Sequence, residues 1–135
     1  MDKEVIKNLE KNNYLKEKIS IIEELIEKKE LKEAYLKFTY ILDYINIKYI
    51  KVKYNIDMAE STIMKISKFY RKKDPKLEDY MKIINAEYND VNLDDLGIED
   101  VEYVASIIDL IYEYMVKDIG NFIYRYRIGH KCIDN

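Results

Sequence analysis

The chain of 135 residues has no glutamine and no tryptophan, one proline, three glycines, one histidine and one cysteine. Each shortage narrows the field. All-β folds are built around many turns and draw heavily on Gly and Pro, so the scarcity of both points to helices. A single cysteine forms no internal disulfide, and Cys132 fits a reducing compartment. One His and one Cys do not make a metal ligand set within a single chain. No apolar run approaches membrane-spanning length. The opening "MDKEVIKNLEKNN" is charged and lacks the apolar core of a signal peptide, so a soluble, cytoplasmic protein without a membrane partner is expected. There is no P-loop, no G-x-G-x-x-G and no nucleophile elbow that would put His130 into a Ser-His-Asp triad. Ordinary enzyme classes therefore find little support, and no cofactor is expected.

Lysine, glutamate and isoleucine are abundant instead. A thermophile rich in ion-pair networks gives such a bias, and so does an AT-rich genome. The length suits one domain with a real core, and the mix of apolar and charged residues is that of a folded chain. The formal net charge of −3 removes the global electrostatic footprint of a general nucleic-acid binder. Charge is uneven along the chain. Lys65, Lys68, Arg71, Lys72, Lys73 and Lys76 form a basic segment broken only by Asp74. Glu87, Asp90, Asp94, Asp95, Glu99, Asp100 and Glu102 form an acidic one. Such runs commonly mark solvated faces. As a site, the basic run would use Lys68, Arg71 and Lys72 to contact phosphate.

Apolar spacings of three, four and seven define the helices. Val5, Leu9, Leu15, Ile19, Ile22 and Ile26 line the first. Leu31, Ala34, Phe38, Ile41, Leu42 and Ile45, then Tyr49, Val52 and Ile56, line a long second, with a break near "EKKEL" that no Gly or Pro marks. Asp57 with Glu60 reads as a capping box for a short third helix through Ala59, Ile63, Ile66 and Tyr70. Asp74 followed by Pro75 reads as the cap and first residue of a fourth, through Leu77, Tyr80, Met81, Ile84 and Tyr88. A fifth runs from Val101 to Met115, has the broadest apolar face and is expected to be the most buried, with Gly120 as its stop. The expected architecture is a single all-α bundle of four or five helices over 1–120, followed by a basic and aromatic tail over 121–135.

The loop "NDVNLDDLGIED" invites a calcium test. Asp90, Asn92 and Asp94 match the first, third and fifth EF-hand positions, but Asp95 stands where glycine is required and Val101 where a bidentate Glu is required. Helix capping before and after Gly97 explains the acids better. Of the fourteen tyrosines, Tyr14, Tyr35, Tyr40, Tyr44, Tyr49 and Tyr54 lie on or beside the first two helices. Most are expected at the rim of the core, ring inside and hydroxyl wet. A base-stacking platform would need an overlapping basic stripe.

The stretch "YRYRIGHKC" holds the lone histidine, the lone cysteine and two of the three arginines. Its Arg125 and His130 resemble the Arg-x4–6-His motif of HEPN domains, which are small helical bundles, many of them metal-independent RNases. "KKELKEAYLKFTYILDYINIKYIKVKYNID" and "NAEYNDVNLDDLGIEDVEYVASIIDLIYEYM" resemble the body of that family, with its charged helix start, Ala-aromatic pair and acidic opening of the last helix. The resemblance implies a catalytic pair in which His130 moves protons and Arg125 stabilises phosphate charge, Arg127 and Lys131 hold phosphate, and a homodimer brings two pairs together. The chain departs from the family in placement: the family pair lies near the turn before the last helix, where this chain has Lys82, Asn85, Ala86, Glu87 and Tyr88. The expected function is accordingly a non-enzymatic interaction module, regulatory, antitoxin-like or a degenerate HEPN domain, that binds a protein partner or self-associates through an apolar helix face. The alternative is a HEPN-type RNase. A third reading is RNA binding without cleavage through Lys65 to Lys76.

Overall fold

A computed structural model describes residues 3–58 and 63–123, with the side chains of 3–13 left aside. It is all-helical: α1 (Lys3–Glu27), α2 (Leu31–Tyr54), α3 (Ile63–Tyr70), α4 (Pro75–Asp90) and α5 (Ile98–Ile119), with a single 3-10 turn at Leu93–Asp95. No helix among the described residues is long and apolar enough to cross a membrane.

Local chemistry sets the boundaries. The N–H of Glu30 donates to the carbonyl of Leu25 (2.9 Å) and that of Lys29 to Ile26 (3.0 Å). This is a Schellman closure with Lys29 left-handed at φ 60°. A residue with a Cβ costs about 1–2 kcal/mol there. Burying one Leu, Ile or Phe of the α1–α2 hairpin returns roughly 1.5–3 kcal/mol, so packing enforces a break that no glycine announces. Asn55 closes α2 in the left-handed region, its N–H on Lys51 O at 3.0 Å. Asp74 caps α4 as its sequence requires: its carboxylate accepts from Leu77 N–H at 3.1 Å, with Pro75 next. Asp100 reaches back to the Gly97 N–H at 2.9 Å to open α5, and Asn92 accepts from Asp94 N–H at 3.1 Å. Of the acids of this loop, Asp100 serves as a cap. Gly120, at φ 83°, stops α5.

Two expectations need correcting, and a third has exceptions. The most buried element is α2, with nine buried residues from Ala34 to Ile50, against six on α5. It is central because α1 and α5 both pack on it. Breadth of apolar face did not reveal this, since centrality depends on neighbours. Val52 and Ile56 do not belong to the core stripe: Val52 is exposed between buried Ile50 and the half-buried Tyr54, and Ile56 is exposed beyond the end of α2. The rim placement expected of most tyrosines has three exceptions among the described residues. Tyr35, Tyr49 and Tyr70 are fully buried, and each hydroxyl has a protein partner: Glu87 Oε1 for Tyr35 (3.1 Å), Asp118 Oδ2 for Tyr49 (2.5 Å) and Asn46 Oδ1 for Tyr70 (2.7 Å). The Asp57–Glu60 capping box and Ala59 involve positions outside the described residues. Asp57 itself pairs with Lys51 at 3.1 Å.

After α5 the chain folds back. Phe122 packs on Tyr49 and Tyr112, Ile123 is buried, and Tyr112 donates to the carbonyl of Ile123 at 2.9 Å.

Candidate interaction groove and a basic edge

Because α1 and α5 flank α2, the seam between them remains open as an apolar groove of about 450 Å³. Phe38 and Ile41 of α2 form its floor. Ile19, Ile22 and Ile26 supply one wall, and Ile98, Val101 and Ala105 the other. The helical repeat explains the arrangement: 19, 22 and 26 share one face of α1, and 98, 101 and 105 share one face of α5. One residue beyond each stripe stands an acid. Glu23, Glu27 and Glu102 rim the groove, and no cation is among its lining residues. None of the three carboxylates makes an ion pair with a described cation. The groove offers apolar contact inside and negative charge at its lip. It has no converging nucleophile, base and oxyanion donors of the kind catalysis needs.

The other end of α2 has the opposite character. Ile41 and Tyr54 lie about 20 Å apart along the helix axis, and Tyr54 meets Phe69 of α3 edge-on, with centroids 5.3 Å apart. Here α3 and the turn into α4 display Lys65, Lys68, Arg71, Lys72, Lys73 and Lys76, all exposed. Lys73 sits over the Phe69 ring at 4.4 Å and Lys76 over Tyr114 at 5.3 Å. Arg71 Nε reaches Glu78 Oε2 at 3.4 Å, an oxygen shared with Lys82 at 3.6 Å. Lys68 and Lys72 make no ion pair among the described residues. The only acid in the run, Asp74, is 6 % exposed. It is consumed by the cap and by the Tyr114 hydroxyl, 2.9 Å from both carboxylate oxygens. Beside this edge Asp118 accepts from Tyr49 and from Lys53, each at 2.5 Å. The Lys53 ammonium and the Tyr49 hydroxyl hold its carboxyl below the usual range. Desolvation, with the Asp74 hydrogen bond second, pushes Tyr114 up to about 12.

The structure thus brings Lys68, Arg71 and Lys72 onto one edge. Arg125, Arg127, His130 and Lys131 lie outside the described residues. The acidic run is dispersed: Glu87 serves Tyr35, Asp94 faces Lys32 at 3.9 Å, Asp100 caps α5, and Glu102 joins the groove. No group of three or more potential metal-ligating side chains occurs among the described residues. Lysines do overlap the tyrosine cluster. Tyr14 stacks on Tyr44 at 4.9 Å, Lys18 lies over Tyr14 and Tyr40, Lys37 over Tyr40 and Lys48 over Tyr44. Those ammonium groups occupy ring faces on which a base would stack.

Sequence reasoning did not find the groove. Its signal is present as interleaved Ile and Glu at 19, 22, 23, 26 and 27 and as apolar residues with one Glu at 98, 101, 102 and 105. That pattern becomes a site only once α1 and α5 are known to flank the same helix. No protein-family model, curated protein or solved structure matches this chain.

Proposed function

We propose that the chain is a non-enzymatic helical interaction module, acting in the cytoplasm without a cofactor, and that its groove between α1 and α5 receives an apolar anchor from a protein partner or a second copy. One observation supports this reading above all: an open apolar groove ringed by three carboxylates that no described cation neutralises. Buried apolar contact supplies affinity, while the unneutralised lip selects against acidic partners and favours basic ones. In this reading the chain is a non-catalytic relative of HEPN domains, which accords with the resemblance of its body and with the lack of an Arg–His pair near the turn before its last helix.

The test is a photo-crosslinking side chain placed at position 105, on the groove wall. The expected result is one dominant crosslinked species whose attached peptide carries an apolar residue flanked by Lys or Arg. The same label at exposed position 103, on the other side of α5, should not capture it. Equal capture at both positions would remove the groove from the account. RNA cleavage in EDTA that disappears in His130→Ala would overturn the reading in favour of the RNase.

A further inference from the structure

The groove and the basic edge are complementary in charge, number and chemistry, and they are separate surfaces, the groove walled by α1 and α5 and the edge formed by α3 and the turn after it. Glu23, Glu27 and Glu102 stand at the lip of the groove. Lys65, Lys68 and Lys72 stand along the exposed side of α3 and the turn after it. Met64, which is 54 % exposed, stands immediately before Lys65 and one turn before Lys68 on the same stripe. A methionine set among lysines on a short helix is an apolar anchor with a basic surround. Its unbranched, polarisable side chain adapts to irregular apolar cavities.

Among the described residues no ion pair joins Glu23, Glu27 or Glu102 to Lys68 or Lys72 within one molecule. A contact between two copies brings them together.

Resting on the reading of the groove as a docking site, we propose that its occupant is a second copy of this chain: the α3 edge of one molecule, led by Met64 and flanked by Lys65, Lys68 and Lys72, enters the α1–α5 groove of the next. The proposed contact is heterologous, one groove taking one edge, and not the reciprocal two-fold exchange in which each copy fills the other. Each bound molecule leaves one free groove and one free edge. The product is a head-to-tail series, an open chain or a closed ring, and not a two-fold dimer. Its strength falls with salt, since the pairs at the lip are exposed.

Sedimentation velocity of the full chain over a concentration range, at low and high ionic strength, tests this with charge-swap variants. The wild type should form a ladder of masses at low salt that collapses toward monomer at high salt. Glu23→Lys/Glu27→Lys/Glu102→Lys should weaken association about tenfold or more. Lys65→Glu/Lys68→Glu/Lys72→Glu should do the same, and so should Met64→Ser alone. The two triple variants, mixed, should associate again, because each reversed groove then meets a reversed edge and each native groove a native edge. A control with the same charge change elsewhere, Glu33→Lys/Asp90→Lys/Glu113→Lys, should not be rescued by the edge variant. Circular dichroism verifies that each variant folds, and restoration in the mixture cannot come from misfolded chains.

A wild type that stays monomeric at all concentrations would overturn the proposal. So would a single dimeric mass, or association that ignores both triple variants. Monomeric protein whose basic edge instead retards single-stranded RNA would overturn it too. In any of these cases a heterologous protein crosslinked at position 105 leaves the docking function standing and removes only the self-association.

Discussion

The Tyr70 hydroxyl donates to Asn46 Oδ1 at 2.7 Å with both side chains fully buried, joining α3 to the centre of α2. Asn46 also donates to the Leu42 carbonyl at 2.9 Å and faces Met81 Sδ at 3.7 Å. A buried polar pair of this kind stabilises only while both halves are present. Leaving one partner unsatisfied costs about 1–3 kcal/mol, whereas replacing both by apolar groups of similar shape is close to neutral. Tyr70→Phe and Asn46→Leu should therefore each destabilise by about that amount. The double variant should be much less destabilised than the sum. Urea denaturation of the four proteins measures the coupling, and strict additivity would mean that the hydrogen bond contributes nothing.

Asp74 ties the start of α4 to the C-terminal part of α5 through Leu77 N–H and the Tyr114 hydroxyl. Loss of an N-cap costs typically about 1 kcal/mol, and an unpaired hydroxyl adds to it. Asp74→Ala should lower stability by about 2 kcal/mol, and Tyr114→Phe by less, since the cap survives. If the two variants prove equally destabilised in denaturant titrations, the cap is not the main contribution.

Much of this architecture was readable beforehand, for identifiable reasons. Asp74–Pro75 announces a helix start because its two residues each solve a local problem of unsatisfied amides. Apolar spacing announces the core faces of α1, α4 and α5 because a helix must bury one stripe. What stayed hidden depended on partners distant in sequence. The centrality of α2 follows from two helices packing on it. Burial of Tyr35, Tyr49 and Tyr70 follows from Glu87, Asp118 and Asn46, which lie 52, 69 and 24 residues away along the chain. The groove needs α1 and α5 to share a neighbour. The Arg125–His130 pair, the most conspicuous motif in the sequence, lies outside the described residues.

Lys29 occupies the left-handed position that closes α1, where glycine carries no steric penalty. Its side chain is exposed, so replacing it removes no packing. Lys29→Gly should stabilise the protein by up to about 1 kcal/mol, and Lys29→Val should destabilise it, because a β-branched residue is poorly tolerated at positive φ. Thermal denaturation of the two variants should bracket the wild type. A glycine variant that melts below the wild type would show that closure of the α1–α2 hairpin does not depend on the strain at this residue.

Asp118 gives the fold a dependence on acid. Hydrogen bonds from Lys53 and Tyr49 favour its charged form, so its folded value lies below the ordinary 3.8. The unfolded state therefore binds the proton more readily than the folded state does. The stabilisation from this carboxylate is fully present above the ordinary value and is lost as pH falls through the lower folded one. Tyr49 runs the other way. Burial, with the bond to Asp118 second, raises its hydroxyl well above the ordinary range. Its contribution holds below about 10 and declines as strong base ionises it. Asp118→Asn removes the carboxylate while keeping a hydrogen-bonding side chain of the same shape. Urea midpoints measured from pH 2 to pH 7 should show the wild type losing an advantage below about pH 4, and the two curves should converge at the acid end. Parallel curves across that window would mean that Lys53 and Tyr49 do not favour the charged carboxylate, and that the C-terminal turn of α5 is held to α2 by the packing of Phe122 and Tyr112 alone.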